Sequence, residues 1–169
     1  MNTFETLSFY RGVSVKYRTD QLSLIVPRRD RRPKDSSQHF HDIADEWFKI
    51  RFGIPYRSHG VFLTSRFVTA SAHAATVDHV MRVIPVGAYK YCWSPEVKDL
   101  LFAAKRFASS PRDEIGEYLE SVRYQEVDLQ DAQHSGHELM LFCERYVAIP
   151  TGILGVEPDI ENTSIILTP

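Results

Sequence analysis

Gly136-His137-Glu138-Leu139-Met140-Leu141-Phe142-Cys143-Glu144-Arg145-Tyr146-Val147-Ala148-Ile149 is the stretch on which the fold class turns. An acid opens a run of apolar residues, and a second apolar run follows a charged pair. Short runs of this kind, rich in aromatic and branched side chains, predict strands over 138–142 and 145–149. Tyr124 to Leu129 reads as a further strand before them and Ser164 to Leu167 as one after them. Gly152, Gly155 and Pro158 mark the loops between.

Upstream the period changes. Ser94-Pro95-Glu96 carries a cap, a first-turn proline and an acid at the positive end of a helix dipole. Val97, Leu100, Leu101, Ala104 and Phe107 then recur at helical spacing. Ser110-Pro111-Arg112-Asp113-Glu114 repeats the start signal for a helix reaching about Val122. Earlier, Phe40, Ile43, Ala44, Trp47, Phe48 and Ile50 predict an amphipathic helix from His39 to Phe52. Ser36 or Ser37 caps it, and Gly53 and Pro55 end it. Leu7–Val15, broken near Gly12, and Leu22–Val26 read as strands, as does Gly60 to Ser65. The alanine-rich segment from Phe67 to His79 reads as helix. Val80–Val86 and Ala88–Trp93 read as two strands joined around Pro85 and Gly87. Helices early and in the middle, with strands dominating the end, give an α+β domain.

The chain's 169 residues suit one domain over 1–169, and a 43% hydrophobic content suffices for one core. A net charge of −2 gives no global field to recruit nucleic acid or an anionic membrane. Arg28, Arg29, Arg31, Arg32 and Lys34 are nevertheless crowded together. That cluster is a solvated loop, or a grip for the phosphates of a ligand, a nucleic acid or an acidic partner; aromatic residues for base stacking are missing from it. Cys92 and Cys143, with no CxxC, fit a reducing compartment and small buried side chains. The N-terminus lacks a signal-peptide pattern and no apolar stretch approaches bilayer length, so a cytoplasmic protein without membrane contact is expected.

Three separated motifs carry the chemistry. Phe9-Tyr10-Arg11-Gly12 closes the first strand. Val61-Phe62-Leu63-Thr64-Ser65 is an aromatic strand ending in two hydroxyls. Gly136-His137-Glu138 leads into the apolar strand quoted above. In order and spacing they resemble the arginine, serine/threonine-serine, glutamate triad of the ADP-ribosyltransferase superfamily, over roughly Leu7 to Ile149. RRDRRPKDS, GVFLTS and WSPEVKDL together also resemble uncharacterised bacteriophage-encoded proteins.

The resemblance implies a split β-sheet forming an NAD cleft, surrounded by helices, and mono-ADP-ribosyl transfer from NAD to a macromolecule, protein sooner than nucleic acid. It implies no metal. Glu138 would be the catalytic acid, stabilising the positive charge that grows on the ribose as nicotinamide leaves and orienting the nucleophile. Arg11 would clamp the pyrophosphate through paired hydrogen bonds. Gly12 would let the backbone approach the nicotinamide amide. Thr64 and Ser65 would hold the carboxylate and ribose.

The chain departs from that pattern in two places. Members that modify arginine usually carry a second acid two residues before the catalytic one, and here that position is Gly136. The Ser-Thr-Ser motif is reduced to Thr64-Ser65 followed by Arg66. Glu126 and Glu144 are rivals to Glu138. An NAD glycohydrolase, or a binding or structural module without turnover, are the alternative functions. His39 and His41 at a helix start do not share a face, which argues against a metal pair. No Gly-x-Gly-x-x-Gly or P-loop occurs, so NAD would bind by other means than a Rossmann turn.

Overall fold

The computed structural model describes residues 3–154, 156–157 and 166–167. The elements are β1 (Tyr10–Gly12), β2 (Ser23–Ile25), α1 (Gln38–Phe52), α2 (Tyr56–His59), β3 (Val61–Leu63), α3 (Phe67–Ser71), β4 (Val80–Trp93), α4 (Leu100–Arg106), α5 (Arg112–Ser121), α6 (Leu129–Ser135), β5 (Leu139–Pro150), β6 (Val156–Glu157) and β7 (Ile166–Leu167). The class is mixed α+β with an antiparallel sheet. Of the last expected strand, Ser164 and Ile165 lie outside the described residues, as do Gly155 and Pro158 among the expected loops.

Long β4 and β5 pair along most of their length, from Met81↔Pro150 to Trp93↔Leu139. The two strands expected on each side of a break are therefore single. In β4 the break is a bulge between Val86 and Tyr89, where Gly87 takes φ +79°. β1 lies on the free edge of β4. β3 and β2 share the free edge of β5, at Leu139–Leu141 and Tyr146–Ala148 respectively. Tyr10 and Thr64 then exchange two backbone hydrogen bonds, of 2.7 and 3.0 Å. That bridge ties the outer strand β1 back to the end of β3.

β5 reads apolar at successive positions because both faces of the sheet are covered. Met140 belongs to the cluster under α1, α4 and α5, with Phe40, Phe48, Tyr56, Leu100, Ile115 and Leu119. Leu139 and Leu141 face the other cluster, with Phe4, Phe9, Met81, Trp93 and Leu129. Cys92 and Cys143 are free thiols buried one in each cluster.

α1 begins where Ser37 accepts the Phe40 N–H and ends at Gly53 with φ +78°. Other expectations need correction. The helix expected from Ser94 starts at Leu100. Ser94 Oγ does accept the N–H groups of Glu96 and Val97, but it caps only that turn; Asp99 makes the helix cap, accepting from Leu101 at 2.8 Å. Of the strand expected over 124–129, only Gln125 pairs, in a bridge to Trp93. Asp128 enters the left-handed region at φ +62°, which ends extended structure and starts α6, a helix missed in the sequence. The helix expected over 67–79 stops at Ser71, because Ala75 donates its N–H to Val13 and so extends the β1 side; a 3₁₀ turn follows at Val77–His79.

Candidate functional site

β1, β3 and the start of β5 meet at the Tyr10–Thr64 bridge and at the Leu63↔Leu139 pair. A cleft of about 510 Å³ opens over that junction, walled also by the 25–36 loop, α2 and the turn before α4. Ligand cavities commonly run from about 300 to 1,000 Å³, and this cleft falls within that range. Arg11, Gly12, Thr64 and Glu138 all line it. Five arginines and two lysines face three carboxylates there, Asp35, Asp99 and Glu138. The cleft is thus cationic in a chain of net charge −2.

Glu138 sits just before β5, its backbone N–H donating to Lys98 at 2.8 Å. Its carboxylate pairs with Arg57 at 3.3 Å, and the two side chains are only 17% and 8% exposed. Burial raises the Glu138 pKa above its usual 4.5, while the Arg57 charge opposes that rise. A carboxylate in this setting is poorly hydrated, so a positive charge arising beside it would be strongly stabilised.

Arg11 is half-buried and donates to the Tyr146 hydroxyl at 2.8 Å, which fixes its fork and leaves further N–H donors. Gly12 is held to glycine by α3: a Cβ there would lie 2.2 Å from the Ala70 carbonyl oxygen and 2.6 Å from the Ala74 nitrogen. Thr64 donates to the Gly136 carbonyl at 3.1 Å and accepts from the Arg66 N–H. Its hydroxyl therefore anchors the segment that presents Glu138. Ser65 is not among the cleft-lining residues, and its hydroxyl donates to the Gln133 carbonyl at 2.5 Å. Gly136 closes α6 at φ +68° with the Arg66 side chain against it, which favours glycine at that position.

The rivals lie elsewhere. Glu126 accepts from the Tyr56 hydroxyl at 2.6 Å, and Glu144 is exposed on β5. His39 bonds the Ser110 carbonyl, whereas His41 is buried at the cleft, its pKa lowered by burial and by Arg57. Among the described residues no group of three or more His, Cys, Asp or Glu could hold a metal ion, and no helix is long and apolar enough to cross a membrane.

The basic run divides by position. Arg28 pairs with Asp30 in solvent. Arg29 turns inward, donating to the Cys143 carbonyl and lying 4.3 Å over the Phe142 ring. Arg31 donates to the Gly60 carbonyl at 2.8 Å and lies 4.2 Å over Phe62. Arg57 and Tyr146 were not singled out in the sequence; Arg57 sits in an unremarkable Tyr-Arg-Ser run, and no local pattern marks it.

No family model, no curated protein and no solved structure matches this chain.

Proposed function

We propose that the chain is an ADP-ribosyltransferase that moves ADP-ribose from NAD to a macromolecule, a protein sooner than a nucleic acid, in a bacterial cytoplasm. One observation carries the reading: Arg11 on β1, Thr64 just after β3 and Glu138 just before β5, far apart in sequence, meet at one cationic cleft. That is the juxtaposition the motif resemblance implies, and the cleft suits an anionic dinucleotide in charge and volume.

In this reading the bond between nicotinamide nitrogen and ribose C1′ breaks, its electron pair leaving with neutral nicotinamide. The charge left on the ribose is stabilised by the Glu138 carboxylate. A nucleophile on the acceptor attacks C1′ and gives its proton to Glu138. Arg11, steadied by Tyr146, grips phosphate oxygens. Thr64 acts through the Gly136 carbonyl by holding the approach to Glu138 in place, and Ser65 braces the same segment through Gln133.

The test is incubation with NAD labelled on the adenylate half and a bacterial lysate, beside Glu138→Gln. Glutamine keeps an acceptor for Arg57, so the comparison spares the fold. Label in a discrete band with the wild type alone is the expected result. Free ADP-ribose with nicotinamide would make the protein a glycohydrolase, and neither product would overturn the reading.

A further inference from the structure

Two arginines that the transferase reading leaves unused stand closest to an unmet demand. Arg57 is more than nine-tenths buried, lines the cleft, and has a buried Nε with no hydrogen-bond partner. Its Nη1 reaches Glu138, and its guanidinium lies 4.6 Å over the Phe62 ring. Arg31 lies over the same ring at 4.2 Å. The two cations therefore share one aromatic platform, which holds planar forks in place without neutralising them.

Arg11 adds a third positive charge nearby. It and Arg57 both disfavour the charged form of Arg31, whose pKa burial brings down to about 10. Three guanidinium groups this near one another, with Glu138 paired to Arg57 and acting on Arg31, form an arrangement that self-repels. Isolated buried charge is costly, and pairing with an anion is the ordinary remedy. The group that answers several forked donors at once is one bearing several oxygens and more than one negative charge.

We propose that Arg31 and Arg57, stacked on Phe62, form a seat for the pyrophosphate of a nucleoside diphosphate ligand. A single carboxylate would leave the cluster with surplus positive charge; a pyrophosphate would not. The rim adds Arg32, Lys34 and Lys98, which favour the approach of such an anion. The seat goes beyond the Glu138 chemistry and stands whether or not NAD is split.

The experiment is calorimetric titration of the full chain with inorganic pyrophosphate at low ionic strength. Arg31→Gln and Arg57→Gln are compared with Arg112→Gln, an exposed control outside the cleft that pairs with Glu46. At least a tenfold loss of affinity is expected in the first two and less than a twofold change in the control. Arginine Nε–H resonances of the wild type, followed by NMR during the same titration, keep the test open if a variant fails to fold. Selective shifts at Arg31 and Arg57 are expected. No binding by the wild type, or equal losses in all three variants, would overturn the seat. Displacement of pyrophosphate by ADP supports a small nucleotide; displacement by an oligothymidine octamer and not by ADP would overturn that assignment. Pyrophosphate held by Arg31 and Arg57 without any NAD turnover would leave the seat and remove the transferase reading; turnover with no effect of Arg31→Gln would do the reverse.

Discussion

The packing beneath α1 and the wall of the cleft are both buried, yet they are built on opposite rules. Beneath α1, Phe48 lies within 4.8 to 6.3 Å of the rings of Trp47, Phe52, Tyr56 and Tyr124, centroid to centroid. Polar tips there find partners: Trp47 donates to Glu120 at 2.9 Å and Tyr56 to Glu126 at 2.6 Å. At the cleft, by contrast, Arg31 and Arg57 crowd one ring, only Arg57 pairs with Glu138, and the Arg57 Nε goes unmet. The first region buries its rings and satisfies the polar tips of Trp47 and Tyr56. The second keeps charge where stability would favour removing it, which is the pattern of sites that must act on a ligand.

The sharpest way to break that contrast is to exchange the expected effects. Phe48→Ala empties the centre of the aromatic cluster and should cost about 3–5 kcal/mol of unfolding free energy, read from denaturant midpoints. Pyrophosphate affinity per folded molecule should not change. An affinity loss parallel to the stability loss would mean that the cleft is not separable from the helical packing.

Glu138→Gln should do the opposite. Turnover should fall about 10²- to 10³-fold, the usual effect of removing one preorganised electrostatic partner, while stability falls by less than in Phe48→Ala, because Arg57 keeps an acceptor but loses its counter-charge. The pH dependence supplies a second reading. Burial lifts the carboxyl above 4.5 in the folded chain. The acid limb of wild-type activity should therefore lie above the ordinary carboxylate range, as Glu138 protonates and activity falls. For stability the sign is set by the same direction: the folded state holds the proton more tightly. Its contribution is full below the unfolded pKa and is lost as pH rises through the raised folded value. As pH rises through that value the stability difference should move in the glutamine variant's favour. A stability loss as large as that of Phe48→Ala would make Glu138 a structural residue.

Much of this contrast was legible in the sequence, but unevenly. α1 was readable because its apolar period, its Ser37 cap and the Gly53 stop agree with one another. β5 was readable as extended, though not as continuous; Glu144 and Arg145 suggested a break because nothing local reveals that both flanking runs pair with β4. α6 was missed because Tyr124 to Leu129 has strand-like residues, and the left-handed turn at Asp128 depends on packing. Arg11, Thr64 and Glu138 were singled out by a resemblance in order and spacing, and the structure lines one cleft with all three. Arg57 was not, since its importance comes from α2 carrying it beneath Phe62. Arg31 was visible only as one charge in a cluster; that it turns inward while Arg28 stays in solvent follows from the Gly60 carbonyl and the Phe62 face.

Gly12 lines the cleft and packs against the α3 segment, and should show a smaller, mixed effect. A Cβ there meets backbone of the α3 segment, which cannot swing aside as a side-chain tip could. Gly12→Ala should cost about 1–3 kcal/mol through overpacking and should weaken NAD binding only as far as β1 is displaced. A large loss of NAD affinity at unchanged melting temperature would instead mark Gly12 as a ligand contact.

The smallest expected effect is the one that separates bracing from contact. Ser65 follows Thr64 in the motif, but its hydroxyl is spent on the Gln133 carbonyl and it is not part of the cleft lining. Ser65→Ala removes one hydrogen bond and leaves that carbonyl to find water, which should cost about 1 kcal/mol. NAD affinity should stay within twofold, because no ligand atom is asked to touch Ser65. Thr64→Val removes the hydrogen bond to Gly136, two residues before Glu138, so at a similar stability cost it should lower kcat more than it raises KM. If both variants changed KM alike and left kcat alone, the hydroxyls would be holding substrate directly. The segment leading into β5 would then be a binding surface and not the support that keeps Glu138 in place.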